Sequence, residues 1–262
     1  MARSRPLGGA RVAITRPAGT ASALAREVRS RGGTPILLPG SSLRAEPDAT
    51  TARKALKTAL DCDIVIYTSP AAVRFARRLA PLRSRAQVLA PGSGTKRALR
   101  RAGLFDVRAP AREDSEGILA LDILKNVRGR RIGIVGAPGG RGLLARELGA
   151  RGAGVMHAHV YRRLPARLDC RHAEALLHGD RRKPLYVLLS SSEGLANILD
   201  GLPVDACRAL LAGTAVVSST RLASTARGTG FSRVLRAASA RAEVMLAAVV
   251  ADTTDVGGQP MP

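Results

Sequence analysis

The chain repeats itself, and the repeat restricts the folds open to it more than any single motif does. Arg11-Val12-Ala13-Ile14 recurs as Arg131-Ile132-Gly133-Ile134, 120 positions later. The same offset brings Leu24-Ala25-Arg26-Glu27-Val28 onto Leu144-Ala145-Arg146-Glu147-Leu148, and Arg31-Gly32 onto Arg151-Gly152. Each copy reads as a short apolar strand, a turn, an amphipathic helix, a glycine stop and a second strand, the second strands falling at 35–39 and 155–161. With small changes of offset, Ile64-Val65-Ile66-Tyr67-Thr68-Ser69 parallels Tyr186-Val187-Leu188-Leu189-Ser190-Ser191, and 87–90 parallels 214–217. The segment 87–90 is followed by Gly, Ser and Thr residues and 214–217 by Ser and Thr, each then by a basic helix, Gly103 or Gly230, and a strand near Val107 or Val234. Strands alternating with helices through short turns imply an α/β fold of two similar parallel-sheet lobes. Two such lobes imply a cleft, and open parallel sheets bind ligands beyond the carboxyl ends of their strands. The hydroxyl-rich turns sit at those ends, where helix N-termini offer N–H groups to anions. The pattern therefore points to a ligand with several negative charges.

Composition narrows the function classes. With 262 residues, 45% of them hydrophobic, the chain can build a sizeable core. No run approaches the ~20 apolar residues that span a bilayer. The first residues lack the apolar stretch of a secretion leader, so a cytoplasmic protein without membrane contact is expected. Cys62, Cys170 and Cys207 are far apart and show no metal-ligand spacing. His157-x-His159 could hold a metal in principle, but no acidic or Cys partner stands at ligand spacing. The pair reads as a solvated strand end, and no metal is expected. The net charge of +22, from 42 Lys and Arg against 20 Asp and Glu, suggests nucleic acid. Against that, the basic residues are spread in short clusters, aromatics are only 2%, and Trp is absent, which leaves almost nothing for bases to stack on. The field is better suited to drawing in a polyanionic small molecule.

Several turns bear on chemistry. Thr68-Ser69-Pro70-Ala71-Ala72-Val73 is a strand-to-helix junction with a hydroxyl cap and Pro in the first turn. Ala90-Pro91-Gly92-Ser93-Gly94-Thr95-Lys96 lacks the GxxxxGK[ST] spacing of a phosphate loop. Gly136-Ala137-Pro138-Gly139-Gly140-Arg141-Gly142 is not GxGxxG and lacks the acidic ribose partner, so a dinucleotide site is rejected, while an anion-friendly turn with Arg141 beside it remains. No GxSxG or Cys-based triad is present, and carboxylates are too scattered for paired acid–base work. An enzyme of this kind would act by positioning and electrostatics.

Taken together, these segments resemble the uroporphyrinogen-III synthase family. Val12-Ala13-Ile14-Thr15-Arg16-Pro17, followed by Gly32-Gly33 and Leu37-Leu38-Pro39, looks like the family's start. Ile66-Tyr67-Thr68-Ser69-Pro70-Ala71-Ala72-Val73, Ser115-Glu116-Gly117-Ile118-Leu119 and Val160-Tyr161-Arg162-Arg163 are similar to its internal motifs. Ser190-Ser191-Ser192-Glu193-Gly194-Leu195 and Val217-Ser218-Ser219-Thr220-Arg221-Leu222-Ala223 match its later hydroxyl-rich turns. The chain departs from the pattern at Ala90-Pro91-Gly92 and at Leu188-Leu189.

The resemblance implies more than the repeat does. The chain would cross between lobes, giving lobes of 1–39 plus 164–255 and of 43–160, with 256–262 a flexible tail. A two-stranded connector would form near 38–41 and 161–164. The reaction implied is cyclisation of hydroxymethylbilane, a substrate with eight carboxylates, with inversion of its last ring, loss of water and no cofactor. Tyr161 would point from the hinge toward the cleft and assist departure of the hydroxyl. Thr68, Ser69, Thr95, Ser191, Ser219 and Thr220 would bind carboxylates, with Arg16 and Arg141 as charge partners. The expected state is a monomer in transient contact with hydroxymethylbilane synthase. Two rivals remain at this stage: a two-lobed anion-binding or ligand-sensing protein without turnover, and a nucleic-acid binder resting on charge alone.

Overall fold

A computed structural model describes residues 6–139, 142–180 and 182–256. Arg141 and the last six residues of the expected tail lie outside them; Val256 ends the final helix. The chain opens with β1 (Arg11–Ile14), α1 (Ser22–Ser30), β2 (Thr34–Leu37) and β3 (Ser42–Ala45). It continues through α2 (Ala49–Leu60), β4 (Ile64–Tyr67), α3 (Pro70–Leu79), β5 (Gln87–Leu89), α4 (Ser93–Arg101), β6 (Val107–Arg108) and α5 (Ser115–Leu119). Next come β7 (Arg131–Gly136), α6 (Leu143–Ala150), β8 (Gly154–His159), β9 (Tyr161–Leu164) and α7 (Cys170–Leu177). The last part holds β10 (Leu185–Leu188), α8 (Ser192–Gly201), α9 (Val204–Leu211), β11 (Thr214–Val217), α10 (Thr220–Thr229), β12 (Arg233–Arg236) and α11 (Ala242–Val256).

The chain divides into two compact units, Met1–Ser42 with Leu164–Pro262, and Leu43–Arg163. Unit 1 holds a five-stranded parallel sheet of order β12-β11-β10-β1-β2. Unit 2 holds one of order β6-β5-β4-β7-β8. Laid side by side, the two orders match the sequence repeat strand for strand, with β1 in the place of β7 and β10 in the place of β4. β1 pairs with β10, Val12 opposite Tyr186, and β7 pairs with β4, Ile132 opposite Ile64.

The central strands are buried along their whole length, as parallel strands covered on both faces must be. Each sheet is sandwiched between two apolar layers. In unit 2, Val65, Tyr67, Leu56 and Ala158 form one layer, and Ile64, Ile66, Ile132, Ile134 and Leu148 the other. In unit 1 the layers gather around Val187, Leu195 and Ile198 on one side and Ile14, Tyr186 and Leu246 on the other. Among the described residues no helix is long and apolar enough to cross a membrane.

The connector differs in detail from the expected one. β3 pairs with β9, so its first strand is Ser42–Ala45 rather than 38–41. The reason lies in the backbone of 38–40: Leu38 N–H donates to Ile14 O (3.1 Å) and Gly40 N–H to Thr15 O (3.2 Å), which keeps this segment on β1. The chain is free to cross only after Ser41.

Tyr67 carries a testable feature of the unit 2 core. Its side chain is fully buried, and its phenol oxygen has no hydrogen-bond partner among the described residues. Burial pushes its ionisation far up, so the group stays neutral. An unpaired buried hydroxyl costs about 1–3 kcal/mol. Tyr67→Phe is therefore expected to raise stability by about 1 kcal/mol, read as a higher urea midpoint at constant m-value. A lower midpoint would show that the hydroxyl has a partner.

Candidate functional site

Three turns at the carboxyl ends of strands share one construction. Ser69, Ser191 and Ser219 each follow a buried strand in extended backbone and cap the next helix. Their hydroxyls accept from Ala72 N–H (3.1 Å), Gly194 N–H (3.0 Å) and Leu222 N–H (3.2 Å). A side-chain cap satisfies one of the free N–H groups of a helix start and leaves the others, with the positive end of the helix dipole, to a ligand.

In unit 2, Thr68 and Ser69 lie at the end of β4. Thr68 Oγ1 donates to Val135 O (3.2 Å), which holds it at the end of β7. Gly136 makes this possible, since a Cβ there would clash with Thr68 Oγ1. Ser69 Oγ lies 3.1 Å from the phenol oxygen of Tyr161. Tyr161 departs from the open position that the resemblance implies. It is 1% exposed, belongs to the core of unit 2, and stacks on Phe75 at 5.2 Å between ring centroids. Its contact with the surface runs through Ser69, which is half-buried.

Thr95 also differs from expectation. It is 3% exposed, on the inner face of α4, and does not offer its hydroxyl to a ligand. At the start of the same helix, Ser93 N–H donates to Glu113 Oε1 (3.1 Å), so a carboxylate of the chain already occupies that helix start.

A cavity of about 450 Å³ opens beside Thr68, lined among others by Ser115, Gly136, His157, His159 and Arg163. The expectation of a solvated His-x-His pair holds, His157 being exposed and His159 half-buried; what it did not include is that both rings lie on the wall of a concave space, 5.6 Å apart between centroids. The signal was available in the sequence, because residues two apart on a strand share a face. What it lacked was the neighbour. Gly136 sits opposite His159 in the β7–β8 register, and the space left by its missing side chain is taken by Thr68, which lines the same cavity.

In unit 1, Ser191, Ser219 and Thr220 are exposed at the ends of β10 and β11. Arg236 Nη1 donates to Thr220 Oγ1 (3.3 Å), adding a cation that sequence reasoning missed. Arg16 is half-buried at the end of β1 and donates to Ala240 O (3.1 Å); burial lowers its pKa, though not enough to discharge a guanidinium. Thr15, also missed, ties the strand ends together: its hydroxyl donates to Leu188 O (2.8 Å) and accepts from Ser190 N–H (3.0 Å). Among the described residues, no group of three His, Cys, Asp or Glu could hold a metal ion.

These features define a class: an α/β protein of two parallel-sheet units whose strand ends carry capped helix starts and cations, suited to a polyanionic ligand. The comparisons with known proteins agree in kind. The profile of the family "Uroporphyrinogen-III synthase HemD" matches residues 22–247. A uroporphyrinogen-III synthase of Salmonella typhimurium is 31% identical, over 91% of this chain and 99% of the relative. The fold resembles a crystal structure of a mutant uroporphyrinogen III synthase from Thermus thermophilus, with TM-score 0.61 at 23% identity, covering 94% of this chain and 99% of that one. It also resembles the uroporphyrinogen-III synthetase of Helicobacter pylori, with TM-score 0.60 at 14% identity, covering 92% and 99%. The chain belongs to the uroporphyrinogen-III synthase family.

Proposed function

We infer that this chain cyclises hydroxymethylbilane to uroporphyrinogen III, inverting ring D and releasing water. The observation that carries the reading is the end-to-end match to a named synthase, 31% identical across 99% of that relative's length. The strand-end turns support it, since the substrate is a polycarboxylate. In this reading Ser191, Ser219 and Thr220 receive carboxylates through hydroxyls and neighbouring N–H groups, Thr68 and Ser69 through the free N–H groups of their turn, with Arg16 and Arg141 as charge partners. Thr95 shapes its turn from within. Catalysis is mainly positioning: the substrate must be held curled so that the substituted end of ring D attacks the azafulvene.

Tyr161 supplies the proton for hydroxyl departure through Ser69. A serine hydroxyl has two acceptor sites and one proton. Ser69 Oγ accepts from Ala72 N–H and lies in bonding reach of Tyr161 O–H. When the phenol is the donor, both acceptor sites of Ser69 are filled, its own proton is directed outward, and donation from the buried phenol strengthens it as a donor.

The reading includes a cytoplasmic, monomeric enzyme that takes its substrate in transient contact with hydroxymethylbilane synthase. Its support is chemical: hydroxymethylbilane closes spontaneously, without inversion, if left in water. Adding the chain to freshly made hydroxymethylbilane should speed its disappearance in proportion to chain concentration. A rate independent of chain concentration would remove the assignment.

A further inference from the structure

We propose that the cavity of unit 2 is a carboxylate pocket whose charge is set by protonation of His157 and His159, so that polyanions bind it more tightly on the acid side of neutrality. That the polyanion is the substrate rests on the reaction proposed above; the pocket and its titration do not.

The walls argue for an anion. The described ionisable side chains lining the cavity are His157, His159 and Arg163, with no carboxylate among them. Ser115 adds a hydroxyl, the glycine turn at Gly136 and Gly139 adds backbone, and the Thr68 proton is committed to Val135 O. Among the described residues, a carboxylate entering here would meet one permanent cation and two that are conditional.

The surroundings argue that the two rings are not neutralised from within. The carboxylate of α6, Glu147, lies 3.4 Å from Arg146. Glu116 of α5 pairs with Arg112 (3.9 Å), and Glu46 with Arg162 (3.7 Å). Arg131 of β7 stands at the opposite end of its strand, donating to Asp61 O (2.7 Å). α2 covers the other face of β8, packing on Ala158 rather than on the histidines. Among the described residues, the rings are therefore left to each other, to Arg163 and to solvent. Partial burial and the neighbouring His159 both hold His157 below the usual imidazole range. An anion between them reverses that balance, so binding should take up protons.

The chain has only four histidines, which makes the test direct. Full-length protein carrying ¹³C-histidine is titrated by NMR at about 0.15 M salt, where diffuse charge is screened. The titration is run with and without benzenehexacarboxylate as a stable polyanion, and His157→Asn and His159→Asn variants assign the signals. The expected result is that saturating benzenehexacarboxylate raises the titration of His157 and His159 by about one pH unit each, a tenfold preference for the protonated form of each ring, and leaves His172 and His178 in place. No movement of His157 and His159 would overturn the proposal. So would equal movement of all four, which would mark a general effect of the +22 charge. In the activity arm, KM for hydroxymethylbilane should rise about tenfold between pH 6 and 8, and the slope should vanish in the double variant. An unchanged slope in that variant would refute the link to substrate. Absence of turnover in the unmodified chain would instead refute the reaction, leaving the NMR result to stand by itself.

Discussion

Tyr161→Phe is expected to lower kcat roughly 10²-fold, and Ser69→Ala by a similar factor, because both interrupt one proton path. The double variant should lose little more than either single one, since residues acting as a unit are not additive. Departure of the hydroxyl is driven in part by the pyrrole nitrogen, which places the effect at the low end of the range for a positioned donor. The comparison that gives the numbers meaning is with Thr68→Ala and Ser219→Ala. Each removes one neutral hydrogen bond, worth about 0.5–1.5 kcal/mol, or roughly 2- to 12-fold. Ser69→Ala also removes a helix cap, at about 1 kcal/mol of stability, so folding must be checked by circular dichroism. Tyr161→Phe leaves the cap bond to Ala72 and the stack on Phe75 intact. Near-normal turnover of the Tyr161→Phe enzyme would reduce the phenol to packing and leave positioning as the whole of catalysis.

Gly40→Ala is expected to destabilise unit 1 by about 3 kcal/mol or more, at or above the usual range for overpacking. A Cβ at Gly40 would lie 2.5 Å from both the Cα and the carbonyl oxygen of Gly194. Neither side can retreat easily. Gly40 N–H is bonded to Thr15 O at the end of β1, and its carbonyl accepts from Asn197 Nδ2 (3.0 Å) on α8. Gly194 is itself held by the Ser191 cap. The melting temperature should fall by roughly 6–12 °C, and the Ser191 turn should lose substrate affinity as α8 is pushed away. Gly149→Ala is the matching control. It lies in α6 with nothing within 4 Å of an added Cβ, so it should stabilise by about 0.5–1 kcal/mol. Equal melting temperatures for Gly40→Ala and the unmodified chain would contradict the packing described.

What the sequence revealed, and what it did not, follows the range of each interaction. The α/β character and the strand-by-strand repeat are local and visible, because apolar runs, helix stops and hydroxyl turns recur in order. Which sheet takes which strand is not local. β1 and β7 are alike in sequence, so their patterns fit either sheet equally well; pairing with β10 or β4 is decided by contacts far along the chain. The serine caps are legible for the same reason as the repeat, since each needs only its own strand end and the next helix turn. The burial of Tyr161 depends on Phe75, and the pocket around His157 and His159 on a glycine in the neighbouring strand. No window of sequence contains either pair. Thr95 misled because the start of α4 looks like the other turns, while the carboxylate that fills it, Glu113, comes from a separate loop.

The central claim is the inversion of ring D, and the isomer produced tests it most directly. Hydroxymethylbilane synthase supplies fresh substrate, the chain is added, and the products are oxidised and separated by chromatography. Uroporphyrin III should dominate, with the I isomer falling as the chain concentration rises. Exclusive I isomer, formed at the rate seen without the chain, would contradict the account.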